Sequence, residues 1–195
     1  MDKVDVYLQL GENGKEPLYA TEGSAGCDVF AACDAAILPG ETAVVPLNIY
    51  LALPEGYEAQ IRPRSGLSLK TSLRTANAPG TIDSDYRDEI GVILENTFDD
   101  NWLFTQMKKN SDIWQKLKKE YTRISLAEYL QIPEYPSGDI WVDEKGYPYG
   151  TVFLKKGERI AQMVIAEVKS VHFIQHGSVG KIGQDRGGGF GHTGK

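Results

Sequence analysis

Short apolar runs broken by turn residues fill the first half of the chain. Residues 4–10, 43–53, 57–62 and 89–95 read as strands, with Pro39-Gly40, Pro54-Glu55-Gly56 and Pro79-Gly80 at the reversals between them. Strands at this spacing, punctuated by proline and glycine, predict an antiparallel sandwich or barrel. Toward the other end, residues 160–168 (Ile-Ala-Gln-Met-Val-Ile-Ala-Glu-Val) are apolar enough to predict a further strand buried on both faces.

Between Asn96 and Phe153 the pattern changes period. Ile113, Trp114, Leu117 and Tyr121 follow helical spacing, with Lys116, Lys118 and Lys119 mostly on the opposite side. Ser125-Leu126-Ala127-Glu128 is a capping-box start for a second short helix ending before Pro133. Residues 139–142, the turn Glu144-Lys145-Gly146 and residues 147–153 predict a hairpin, its second strand confined to an edge by Pro148. A loop of this length with neither structure nor function of its own would be unusual.

Composition adds bounds. The chain has 195 residues, 41% apolar and 25% charged, enough for one domain with a sizeable core. Its net charge of −6 makes the surface as a whole repel nucleic acid, so a polyanionic ligand needs a local cluster of cations or a metal. Met1-Asp2-Lys3-Val4-Asp5 carries acids where a signal peptide has a basic and then an apolar run, and no segment approaches the length of a membrane span. The expectation is a cytoplasmic protein. Cys27 and Cys33 lie outside any CxxC and are expected as buried small hydrophobes, and His172, His176 and His192 are too scattered for a zinc site.

The densest chemistry is Gly80-Thr81-Ile82-Asp83-Ser84-Asp85-Tyr86-Arg87, with two carboxylates and an aromatic ring in four residues. Ala25-Gly26-Cys27-Asp28 and Arg62-Pro63-Arg64-Ser65-Gly66-Leu67-Ser68-Leu69-Lys70 precede it. Gly157-Glu158-Arg159-Ile160-Ala161-Gln162 and Arg186-Gly187-Gly188-Gly189-Phe190-Gly191-His192-Thr193-Gly194 follow. In this order the five segments resemble the trimeric dUTP pyrophosphatases (dUTPases), over residues 3–97 and 151–194. The resemblance implies an all-β jelly roll forming a single domain over 1–195. Residues 98–150 would be a mixed helix and hairpin insertion where relatives have a short connection, and 183–195 a flexible glycine-rich arm. It also implies hydrolysis of dUTP to dUMP and pyrophosphate with Mg²⁺, keeping uracil out of DNA and supplying dUMP for thymidylate synthesis.

Such a reaction needs a base for the attacking water, cations for the developing charge and a clamp that keeps the phosphates in line. By the resemblance Asp83 is the base, acting on water that attacks the α-phosphorus, and Asp85 is structural, holding the turn or pairing with a cation. Tyr86 is a platform under the deoxyribose, or else a core aromatic. Asn77 reads the uracil edge, but a side-chain amide can rotate to offer donor or acceptor. Fixed main-chain groups of the 76–91 hairpin, at Gly80, Thr81 and Ile82, must therefore separate uracil from cytosine. Arg64, Ser65 and Gly66 combine a guanidinium, a hydroxyl and close backbone approach for phosphate. Asp28 orients Arg64 or the waters of a metal shell, Arg159 is structural, and Gln162 is a phosphate or water ligand or else a satisfied core amide. Mg²⁺ is expected on the phosphates and waters, without a protein cage. In the arm, Phe190 stacks on uracil, Arg186 clamps the terminal phosphate, His192 and Thr193 meet phosphate oxygens, and Gly191 belongs to the substrate site.

Two positions depart from the family pattern. Three residues separate Arg186 from Phe190 where four are usual, and Asp88 stands where glycine is usual, which predicts a left-handed Asp88. The resemblance further implies a homotrimer with shared active sites. The related dCTP deaminases carry a catalytic Glu where this chain has Ile93, which argues against deamination. A non-enzymatic alternative is a binding module, because some phage-borne relatives use an insertion at a similar place to bind protein. Trp102, Trp114 and Trp141 all lie in 98–150, either as anchors for such a partner or as the insertion's own core.

Overall fold

The computed structural model describes residues 3–132 and 137–185. The body runs β1 (Tyr7–Leu10), β2 (Cys27–Phe30), β3 (Ala35–Ile37), β4 (Thr42–Pro46), β5 (Ile49–Ala52), β6 (Tyr57–Pro63), α1 (Ser65–Lys70), β7 (Leu73–Thr75), β8 (Gly80–Ile82) and β9 (Gly91–Asn96). Then come α2 (Asp100–Lys109), α3 (Asp112–Glu120), β10 (Thr122–Ser125), α4 (Leu126–Leu130), β11 (Asp139–Val142), β12 (Val152–Leu154) and β13 (Arg159–Glu167).

Alternation decides which face of each strand turns inward. In β9, Val92, Leu94 and Asn96 are buried while Gly91, Ile93 and Glu95 are half-exposed, because successive side chains leave a strand on opposite faces. β9 lies between β4 and β7, and a second sheet runs β2-β13-β6-β8, every pair antiparallel. No two sequence neighbours pair in that second sheet, so its strands are reached by long returns, as in a jelly roll and unlike a meander. Val29, Ile61, Ala161 and Met163 of one sheet join Val45, Leu73, Val92 and Leu94 of the other in a single buried cluster. Each such aliphatic side chain contributes ~1.5–3 kcal/mol by leaving water. This is the all-β fold the sequence predicts.

The structure also differs from the sequence-based expectation in places. The apolar run 43–53 is two strands, because the chain turns at Asn48, whose φ is 52°. Asp88 is not left-handed: among the described residues the non-glycine positions with positive φ are Asn48 and Gln131. Cys27 is buried, its Sγ donating to the Met163 carbonyl at 3.4 Å, whereas Cys33 is exposed because it follows the buried pair Ala31-Ala32 out into a bend. β13 is flanked on both edges, and Ile160, Ala161 and Met163 are buried, but Gln162 and residues 164–166 are half-exposed.

In the segment between β9 and β12 the expected helices form. α3 buries Leu117, and Ser125 caps α4 by accepting the Glu128 N–H at 3.1 Å. α2 has no counterpart in the sequence pattern. The turn after β11 is tight, Gly146 N–H reaching the Asp143 carbonyl, yet the main partner of β11 is β10 and contact with the following strand is a single bridge from Val142 to Pro148. β12 leaves instead to pair with β3. Trp114 and Trp141 meet edge to face at 5.9 Å, and Tyr149 packs the same way between Phe98 and Tyr121 at 5.6 and 4.9 Å. Leu117 and Val142 are buried here apart from the main cluster, whereas Trp114 keeps 38% of its surface exposed.

Candidate active site

Asp28 gathers three of the five sequence segments. Only 4% exposed, it accepts hydrogen bonds from Arg159 Nη1 at 3.0 Å on one oxygen and from Gln162 Nε2 at 3.5 Å on the other, beside Arg64 Nε at 3.4 Å. Arg159 and Gln162 are three apart and would leave a regular strand on opposite faces. A bulge between Arg159 and Ala161 adds one residue against β2 and brings both to the Asp28 side. A buried carboxylate must be paired, and here two guanidiniums pair it. Of the two roles predicted for Asp28, orienting Arg64 matches this geometry. Arg159, expected to be structural, is part of the same cluster; its spacing to Gln162 hides the link unless the bulge is known.

Arg64 stands at the N-cap of α1, a helix that the sequence pattern does not predict. The first hydrogen bonds of α1 run from Leu67 and Ser68 to the Arg64 carbonyl, which leaves Ser65 and Gly66 ahead of them at the helix start. A Cβ on Gly66 would come within 3.2 Å of the Arg64 guanidinium, so glycine keeps that side chain in place. Ser65 is exposed beside it.

The segment with Asp83 forms a separate site. Asn77 is exposed and its amide lies against Gly80, where a Cβ would meet Nδ2 at 3.0 Å. Thr81 and Ile82 follow on β8, and Asp83 is exposed just beyond. The turn that follows is closed by Tyr86 N–H on the Asp83 carbonyl at 3.1 Å, and Arg87 Nη1 reaches the Ser84 and Tyr86 carbonyls at 2.6 and 2.8 Å. Arg87 thus does the work expected of Asp85. Tyr86 is 38% exposed, with its hydroxyl on the Glu89 carbonyl at 3.0 Å. It is not a core residue.

Within one chain these two groups lie apart. β8 pairs with β6 so that Gly80 faces Ile61 and Ile82 faces Ala59. Asp83 continues toward Glu58, whereas Arg64 follows Pro63 at the other end of β6. Roughly six residues of strand at about 3.3 Å each put the two about 20 Å apart. Arg186, Phe190, Gly191, His192 and Thr193 lie outside the described residues.

A cleft of about 690 Å³ is lined by Asp83, Ser84, Asp85 and Arg87 with Leu53, Glu55, Tyr57 and Val168. A larger one of about 1080 Å³ opens between the C-terminal end of α3, the β11 turn and β3/β12, and none of the described residues among the predicted site residues lines it. Among the described residues no three His, Cys, Asp or Glu side chains converge as metal ligands, and no helix is long and apolar enough to cross a membrane.

A family model described as dUTPase matches residues 12–110, just over half of the chain. The chain belongs to the dUTPase family. It is 37% identical over 187 residues to the deoxyuridine 5'-triphosphate nucleotidohydrolase of Hydrogenobaculum sp., a match spanning 95% of this chain and 94% of that protein. The enzyme of the same name from Chlamydia pneumoniae is 49% identical over 100 residues, half of this dUTPase-family chain and 69% of the relative. Among solved structures, the Staphylococcus bacteriophage 80alpha dUTPase with dUPNHPP covers 98% of this chain and 99% of its own, with a TM-score of 0.70 at 25% identity. The phage phi11 dUTPase, described for its species-specific insert, covers 91% and 99% with a TM-score of 0.64 at 22% identity, a likeness of fold.

Proposed function

We propose that this member of the dUTPase family hydrolyses dUTP to dUMP and pyrophosphate in sites shared between the subunits of a homotrimer. The observation that carries the reading is the convergence of Arg64, Arg159 and Gln162 on Asp28, a ready cationic cradle on a chain of this family. The roughly 20 Å between that cradle and Asp83 of the same chain supports a site completed by a neighbouring subunit.

In this reading Arg64, Ser65, Gly66 and Gln162 hold the phosphates, and the arm of a further subunit closes over the nucleotide through Arg186, Phe190, Gly191, His192 and Thr193. Asp83 of the neighbour takes a proton from water as its oxygen bonds to the α-phosphorus. The bond from that phosphorus to the bridging oxygen breaks, Ser65 bonds the bridge, and pyrophosphate leaves with the electron pair. Asn77 and the main-chain groups of Gly80, Thr81 and Ile82 read uracil. Tyr86 packs on the deoxyribose, so a 2′-hydroxyl is buried without a partner, a penalty of roughly 1–3 kcal/mol that rejects UTP by one to two powers of ten.

The donor set fits Mg²⁺ carried by the triphosphate and water, because Asp28 is committed to guanidiniums and the described residues gather no carboxylate cage. When bound, the ion would neutralise phosphate charge. A mutant of the phage phi11 dUTPase coordinates a structural Mg(II) ion, which is a property of that protein. We assign any docking of a protein partner to the 98–150 insertion, which carries none of these residues.

Pyrophosphate release from dUTP, dCTP, UTP and TTP tests the reading. Release from dUTP at least tenfold faster than from the others is expected. Equal rates, or none, would contradict it.

A further inference from the structure

Tyr86 sits in a turn, more than a third exposed, and an aromatic ring there needs a tether to present one face reliably. Its tether is the hydrogen bond from its hydroxyl to the Glu89 main-chain carbonyl at 3.0 Å. That carbonyl is fixed in turn by the side chain of the same residue. Glu89 Oε1 accepts the Asn48 N–H at 2.9 Å and faces Asn48 Nδ2 at 3.4 Å.

Asn48 is itself locked in a left-handed conformation that an L-residue seldom holds, with φ of 52°. Its carbonyl accepts the Gly11 N–H at 2.8 Å and its Oδ1 accepts the Asn13 N–H at 3.0 Å. The 11–14 turn lies so close that a Cβ on Gly11 would fall 2.3 Å from Asn48 Oδ1, and one on Gly14 2.2 Å from the Asn48 carbonyl oxygen. On the other side of Glu89, buried Ile90 is stitched to the same strand pair by Ile90 N–H to the Ile49 carbonyl and Leu47 N–H to the Ile90 carbonyl, both 3.0 Å. The turn bearing Tyr86 is therefore open to solvent at its tip and rigid where the hydroxyl lands.

We propose that Glu89 is a positioning residue for sugar selection: by clamping Asn48 with its carboxylate it fixes the carbonyl that holds Tyr86, and so the ring face offered to the 2′ carbon. The inference rests on the reading of Tyr86 as the deoxyribose platform. Glu89 itself touches no substrate. It acts through the ring, so its loss should weaken discrimination between dUTP and UTP more than it weakens turnover.

The test is the ratio of kcat/KM for dUTP to that for UTP in a set of variants. Glu89→Ala and Tyr86→Phe should each lower the ratio by about tenfold, and the double variant should lower it no further, because both cut one tether. Glu89→Gln keeps an acceptor for Asn48 and should hold the ratio within about threefold of wild type. Glu89→Ala reducing both substrates by the same factor, or effects that add in the double variant, would overturn the proposal. If Glu89→Ala fails to fold, Tyr86→Phe decides it: a ratio unchanged in Tyr86→Phe would overturn the tether. Tyr86→Ala separates the underlying reading. A ratio unchanged there removes the platform and this inference together, whereas a ratio lost there but kept in Glu89→Ala removes the inference alone.

Discussion

The side-chain amide of Asn96 donates to the Gly150 carbonyl at 2.9 Å, so a buried residue at the end of β9 holds a point 54 residues further along the chain. Its second N–H goes to the Ile37 carbonyl at 2.8 Å, and its oxygen accepts the Ser72 hydroxyl at 2.6 Å and the Phe98 N–H at 3.1 Å. Both ends of the segment between β9 and β12 are thus tied to one amide. A polar side chain on an inward strand face is stable because all four of its hydrogen-bonding positions are used.

Asn96→Ala strips partners from two carbonyls, a hydroxyl and an N–H, each worth roughly 1–3 kcal/mol when buried, and partial rearrangement should leave a loss of about 3 kcal/mol. Ser72→Ala, which removes one of the four bonds, should cost about 1 kcal/mol. Urea unfolding of both variants checks the order. Equal losses would mean that the amide is no hub.

Because Leu117 and Val142 are buried apart from the main cluster, the segment between β9 and β12 should be separable from the body. Replacing residues 99–149 by a short turn is expected to leave the jelly roll folded, since loop-closure cost grows slowly with length. The kcat/KM for dUTP should stay within about tenfold, or ~1.4 kcal/mol of transition-state stabilisation. A larger fall would show that this segment helps to build the active site.

Burial raises the hydroxyls of Tyr121 and Tyr149 above the ordinary value of 10.0, and nearby Asp143 and Glu120 push Tyr121 the same way, as Glu120 does Tyr149. Folded values above the unfolded one mean that this stability is complete below about pH 10 and is lost as pH rises through the raised values. Thermal unfolding followed from about pH 8 to pH 11 should show it, with a flatter alkaline limb in the Tyr121→Phe, Tyr149→Phe double variant. An unchanged limb would mean that other groups govern it.

Local signals were legible in the sequence wherever a side chain acts on its own neighbours. Ser125 and Glu128 announce the cap of α4, and the spacing from Ile113 to Tyr121 announces α3. What stayed hidden depends on long-range contact. Asn48 takes its left-handed turn because Gly11, Asn13 and Glu89 surround it, none of them near in sequence. Arg159 joins the Asp28 cluster through a bulge that no local pattern marks. The order of the segments along the chain picks out the candidate site residues, but not the distance between Asp83 and Arg64, which follows from strand register.

Past Val168, whose N–H still reaches the Gly56 carbonyl, the chain exposes Val171, Phe173, Ile174, Val179 and Ile182, with Phe173 at 89% and Ile174 at 80%. Apolar side chains in a row suit burial against another subunit. Deletion from Gly183 onward should therefore leave a folded trimer with very low activity. Deletion from Lys169 onward should weaken assembly as well, read by sedimentation. Trimers of unchanged stability after the longer deletion would place the subunit contact elsewhere.

The shared site is the centre of the account, and subunit mixing tests it most directly. Asp83→Asn removes the base, and Ser65→Glu sets a carboxylate against the phosphates; each homotrimer should be nearly inactive. When the two are unfolded together and reassembled in equal amounts, a site that draws Asp83 from one subunit and Ser65 from another is intact in about one quarter of cases. The account predicts recovery of about a quarter of the wild-type rate of pyrophosphate release from dUTP. No recovery, with mixed trimers verified by mass, would contradict it, because a site complete within one chain cannot be restored by exchange.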